Sequence, residues 1–149
     1  MKAEDRIIEA IRAALKRGIH LTRGPVFDWC TPGDWRAPRR TLPYSCNAIG
    51  AILLFLGKEQ LVGPDVYTGF APGWHKVIEN YLEVNMFWTW RFCAGFDGGY
   101  QITLTVVDKD GKEKVRKDDV SALGISIRKQ FAAVMIQPLS CTYVTGQPG

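Results

Sequence analysis

The sequence predicts an α+β fold in a single domain, 1–149: an N-terminal helical bundle of about four helices followed by a small antiparallel sheet. Three observations lead there. Apolar side chains recur at helical spacing through residues 3–17 and 74–82, a capped run from Ala48 is apolar all round, and Asn85 caps a further helix from Met86 to about Phe96. The period then changes from 3.6 to 2, where Tyr100, Ile102, Leu104 and Val106 alternate with Gln101, Thr103 and Thr105. Asp110-Gly111 is a turn signal, and Lys112 to Lys117 is a charged partner strand suited to a sheet edge.

The first helix is predicted over residues 3–17. Ile7, Ile8, Ile11, Ala14 and Leu15 share one face, Glu4 and Asp5 meet the positive end of the dipole, and Lys16 and Arg17 the negative end. Gly18 supplies a left-handed stop, and His20 is placed to cap the terminal carbonyls. From Ile19 to Tyr44, Pro25, Pro32, Pro38 and Pro43 exclude a long helix or a central strand. Ser45 or Asn47 then caps a second helix, Ala48 to Leu56, which is apolar all round and so belongs in the core.

A third helix begins near Gly73, with Trp74, Val77, Ile78, Tyr81 and Leu82 inward and a His75–Glu79 pair on its wetter side. A fourth, capped by Asn85, runs from Met86 to about Phe96 and closes at Asp97-Gly98-Gly99. Residues 118–131 read equally as strand or helix. Ala132 to Ile136 and Cys141 to Val144 are expected to be buried segments on either side of Pro138, and the tail 146–149 is expected to fray.

Composition narrows the function classes. With 46% hydrophobic and 23% charged residues in 149, the chain is not a disordered polymer, a collagen repeat or a coiled-coil rod. The longest uncharged apolar run, Ala48 to Gly57, is about half of the ~20 residues a membrane span needs. Acids at Glu4 and Asp5 stand where a signal peptide has a basic region, so a cytoplasmic location is expected. Cys30, Cys46, Cys93 and Cys141 contain no C-x-x-C and are read as reduced thiols, and with two histidines no metal site or cofactor is expected.

Nineteen Lys and Arg against fifteen Asp and Glu leave +4, a balance that permits an anionic partner without requiring one. The stretch that gives this excess a purpose is Trp29-Cys30-Thr31-Pro32-Gly33-Asp34-Trp35-Arg36-Ala37-Pro38-Arg39-Arg40. Guanidinium groups bind phosphate or carboxylate in bidentate fashion, indoles stack on bases, and prolines limit the ordering cost of binding. The same indoles serve equally well as packing over the core. Trp29, Trp35, Arg36, Arg39 and Arg40 are the candidate ligand-binding residues.

Cys46 is the candidate nucleophile of an alternative reading, a hydrolase or transferase, because a thiol at a helix N-terminus is pushed toward thiolate. His75 is the one histidine downstream that could serve it as base. The competing reading is a small apolar residue packed beside Gly50. Residues 118–126 also have the flavour of a helix-turn-helix corner, with Leu-Gly-Ile-Ser at the turn, although two acids open it and Gln130 replaces an apolar residue.

Phe92-Cys93-Ala94-Gly95-Phe96-Asp97-Gly98-Gly99 resembles the helix-end motif of LAGLIDADG homing endonucleases, in which an alanine-glycine helix interface runs into a sheet. The second acid of that motif is missing, so what the resemblance implies is a helix turning tightly into a strand. A leading helix, Leu21-Thr22-Arg23-Gly24 and then Cys46-Asn47-Ala48-Ile49-Gly50-Ala51 resembles uncharacterised small bacterial and phage proteins with a Cys-x-x-x-Gly-Ala helix. That resemblance implies a bacterial or phage setting, where a protein that sequesters a host nucleotide or blocks a host enzyme would fit. The expected function is a non-enzymatic binding module whose partner is a nucleotide, a nucleic acid or an acidic protein surface, with no membrane involved.

Overall fold

The computed structural model describes residues 1–29, 40–62 and 73–137. The chain divides into two compact units, one formed by Met1–Glu83 with Val134–Gly149 and the other by Val84–Ala133. The class is α+β, with five α-helices among the described residues and two small sheets.

In the first unit, α1 (Ala3–Lys16) buries Ile7, Ala10, Ile11 and Ala14, the stripe that its periodicity requires. Its last carbonyls are taken by backbone N–H groups: Arg17 and Ile19 donate to Ala14, Gly18 donates to Leu15, and Gly18 has φ +81°. His20 is therefore free of the capping role expected of it and opens β1 (His20–Thr22). With β2 (Phe27–Asp28), β3 (Ser45–Cys46) and β6 (Met135–Ile136) it forms a four-stranded sheet in the order β2-β3-β1-β6. β1 lies parallel to both β3 and β6, and β2 runs antiparallel to β3.

This sheet corrects the expectation of helices followed by strands. A central strand does run in the proline-bearing segment, because β1 ends at Thr22, before Pro25 removes a donor. The outer strand β6 comes from the opposite end of the chain, a long-range pairing with no local sequence signature. Thr22 is fully buried, and its hydroxyl donates to the Ile136 carbonyl at 3.0 Å.

Helix α2 (Ala48–Phe55) is buried along its length to Leu54, as an all-round apolar helix must be. Asn47 is its cap: Oδ1 accepts from the Gly50 N–H at 2.9 Å, while Nδ2 donates to the Gly24 carbonyl at 3.1 Å. A 3-10 turn at Glu59–Leu61 follows. In α3 (Trp74–Leu82), Trp74, Ile78 and Leu82 are the buried positions, and Val77 and Tyr81 are half-buried. Arg6 of α1 reaches α3, where its guanidinium lies 5.0 Å over the Tyr81 ring and donates to the Tyr81 carbonyl, with Glu83 as ion partner at 3.9 Å.

The second unit is a helical pair with a β-ribbon between its members. Helix α4 (Met86–Phe96) is capped by Asn85, whose Oδ1 accepts from the Trp88 N–H at 2.8 Å. The ribbon pairs β4 (Thr103–Val107) with β5 (Glu113–Lys117), antiparallel, across a turn in which Asp108 Oδ1 accepts from the N–H groups of Asp110 and Lys112. The half-buried face expected here is cut short: Ile102 and Leu104 are half-buried, Tyr100 and Val106 are exposed, and every residue of β5 is exposed.

Residues 119–130 resolve as a helix, α5 (Asp119–Gln130), so both the strand reading and the helix-turn-helix corner are overturned. Gly124, placed by that reading at a turn, lies mid-helix where α5 meets α4. A Cβ on Gly124 would strike the Phe92 carbonyl oxygen and stand 2.7 Å from the Phe96 nitrogen; one on Gly95 would strike the Ser121 carbonyl. The two glycines let the backbones touch. A 3-10 turn at Ala132–Val134 leads into β6; its residues are exposed, and Met135 and Ile136 half-buried, in contrast to the buried segment expected there. Cys141 to Val144, Pro138 and the tail 146–149 lie outside the described residues.

Candidate functional site

The first unit's sheet has two unlike faces. Successive residues of a strand point to opposite sides, so register decides which side chains share a face. Phe27, Cys46, Leu21 and Met135 line up across the four strands as one apolar row. On the other face Asp28, Ser45 and His20 stand in register across β2, β3 and β1. A carboxylate, a hydroxyl and an imidazole thus occupy neighbouring strands, spaced for side-chain contact. Asp28 and Ser45 are buried, and His20 is half-buried. Ser45 Oγ has no hydrogen-bond partner among the described residues.

The chain leaves the sheet after β2 and re-enters it at β3, and residues at either end of the intervening segment are bonded to each other. The Arg40 N–H donates to the Trp29 carbonyl at 3.5 Å, and the Tyr44 N–H to the Asp28 carbonyl at 2.8 Å, so the loop is closed at its neck. Tyr44 packs on His20 with ring centroids 4.6 Å apart, and the exposed Arg40 guanidinium lies 5.5 Å from the Tyr44 ring centroid. Arginine, phenol and imidazole form a short ladder from solvent to sheet.

Trp29 points the other way. It is 8% exposed, edge-on to Phe27 at 5.4 Å, and belongs to the interior of its unit. Of the residues assigned to the binding loop, Trp29 thus serves packing and Arg40 is displayed, while Trp35, Arg36 and Arg39 lie outside the described residues, as does Cys30. Sequence reasoning missed Asp28, Ser45 and Tyr44, and gave His20 a capping task. Adjacency of these residues depends on strand register, and strands of two or three residues leave no periodicity to read.

Cys46 lies in β3, one residue before the cap Asn47, with its side chain in the apolar row. It is fully buried, and burial pushes its thiol up to about 12, the opposite of the activation that a helix N-terminus provides. A Cβ at Gly50 would stand 2.8 Å from the Cys46 Cβ and 2.9 Å from the Phe27 ring. Cys-x-x-x-Gly is therefore a close-packing device, in which Gly50 makes room for the cysteine and for β2. His75 stacks on Trp74 at 3.7 Å.

Among the described residues no group of three His, Cys, Asp or Glu is arranged to hold a metal ion, and no helix is long and apolar enough to cross a membrane. Comparison with protein-family models, curated proteins and solved structures finds no match to this chain.

Proposed function

We propose that the chain is a non-enzymatic, cytosolic binding module that engages an anionic partner through the basic loop between Trp29 and Arg40. The observation that carries this reading is the loop's neck: it is closed by a backbone hydrogen bond, and it holds Arg40 exposed over Tyr44. A pre-closed loop loses less conformational freedom on binding. A guanidinium resting on a ring keeps its donors directed outward toward phosphate or carboxylate. Arg36 and Arg39 supply further cations from the same loop.

Titrating nucleoside triphosphates while following intrinsic Trp fluorescence tests the reading. The Arg39→Ala/Arg40→Ala double variant is expected to bind at least about ten-fold more weakly, from the loss of charge-assisted hydrogen bonds. An unchanged affinity removes the loop from the account.

A further inference from the structure

The second unit carries a surface that the loop reading does not use. Phe87 and Trp90, one turn apart on α4, are 53% and 58% exposed and stack on each other at 6.0 Å with 17° between planes. Arg91 covers the Phe87 ring at 4.6 Å and is ion-paired to Asp118. Asp118 directly follows Lys117, the last residue of β5. The aromatic pair is thereby joined, through one cation and one carboxylate, to the foot of the ribbon.

The ribbon is basic and bare. Lys109, Lys112, Lys114, Arg116 and Lys117 stand against Asp108, Asp110 and Glu113, and Asp108 is already engaged by two backbone donors of the turn. None of these five cations makes an ion pair with a described residue. Lys114 and Arg116 share a face with Leu104 and Val106, since Leu104 pairs with Arg116 and Val106 with Lys114. Alternate residues of a strand are about 6.6 Å apart, comparable to successive phosphates of an extended nucleic-acid strand. A two-stranded ribbon with little of either face covered is of marginal stability by itself, and a polyanion lying along it would relieve the mutual repulsion of its cations.

We infer that the Phe87–Trp90 pair and the β4–β5 ribbon form a binding surface for single-stranded nucleic acid: bases stack on the exposed rings and phosphates run along Lys114 and Arg116, which share one face of the ribbon. Stacking rings beside a row of cations is the chemistry by which single strands are held without sequence preference. Solvent-exposed ring faces together with cations spaced like successive phosphates favour a single strand over an acidic protein surface. The inference uses none of the loop residues, so each stands or falls separately.

The test uses the full chain and fluorescently labelled oligothymidine and oligouridine, read by anisotropy across a salt series. Binding is expected to weaken with salt with a log–log slope of about −1.4 when two phosphates are neutralised. Trp90→Ala is expected to weaken it roughly 5- to 150-fold. Lys114→Ala/Arg116→Ala is expected to weaken it and to flatten the slope by about 1.4. These positions are exposed, and the salt slope of the unaltered protein stands as a measurement free of any folding defect. No binding at low salt, full binding by either ribbon or Trp90 variant, duplex held as tightly as single strand, or preference for phosphatidylserine vesicles over the oligonucleotides would each overturn the assignment.

Discussion

Gly95→Ala makes the sharpest demand on the structure, because two effects of opposite sign compete. Alanine in place of glycine inside a helix gains about 1 kcal/mol from propensity alone. At Gly95 the added carbon would meet the Ser121 carbonyl and stand 3.0 Å from the Ile125 nitrogen, so both obstacles are backbone of the facing helix. Backbone cannot rotate aside as a side-chain end can, and α4 and α5 would have to separate, unpacking Phe92, Phe96 and Ile127, which are buried in this unit. Overpacking costs typically 1–3 kcal/mol and more when nothing flexible gives way. The net expectation is a loss of about 2 kcal/mol, or roughly 4–8 °C in Tm for a chain of this length. Urea denaturation followed by near-ultraviolet circular dichroism reads it, since Trp88 stacks on Phe92, whose carbonyl faces Gly124 at the crossing. Gly124→Ala should behave alike, and the double variant should cost less than the sum, because one separation of the helices serves both. A Gly95→Ala protein as stable as the parent would refute the close crossing.

Other outcomes follow from single groups. Burial pushes the Asp118 carboxyl up, but donors from the Ser121 backbone and hydroxyl, the Val120 backbone and the Arg91 guanidinium outweigh it and hold its pKa below the ordinary value. A lowered folded pKa contributes stability that is complete above the unfolded value of about 3.9 and is lost as pH falls through the folded one. Acid unfolding of residues 84–133 below about pH 4 should therefore be less steep in Asp118→Ala, which at neutral pH should cost about 3 kcal/mol by removing a helix cap and leaving Arg91 unpaired. Brief iodoacetamide exposure near neutral pH should leave Cys46 and Cys93 unalkylated until the protein is unfolded. Burial raises both thiols, and the Asp97 carboxylate raises Cys93 further; mass spectrometry showing rapid native labelling of Cys46 would reopen the nucleophile reading. Asn47→Ala should cost about 1–2 kcal/mol in urea denaturation by removing the cap of α2, and no loss would place the start of that helix elsewhere.

Much of the secondary structure was legible because it is local. The stripe of Ile7, Ile11 and Ala14, the Asn47 and Asn85 caps and the Asp110-Gly111 turn each act within a few residues, where spacing and backbone chemistry suffice. Residues 118–131 were ambiguous for a physical reason. Leu123, Ile125 and Ile127 alternate, and the helix is favoured by what it packs on: Gly124 seats against α4, and Ser121 Oγ accepts from the Ile102 N–H at 2.8 Å. Alternation likewise promised a covered face for β4 that stops at Leu104, since pattern records suitability for burial and not the presence of a cover.

By itself, then, the sequence determined helix positions, caps, the turn and the cationic character of the loop and ribbon, all properties of neighbouring residues. Only the tertiary structure decided that Trp29 turns inward while Arg40 stays out, that Cys46 lies in a strand against Gly50, and that His20, Ser45 and Asp28 form one row. Those outcomes depend on register between strands from distant parts of the chain. A shift of one residue would carry each of these side chains to the opposite face.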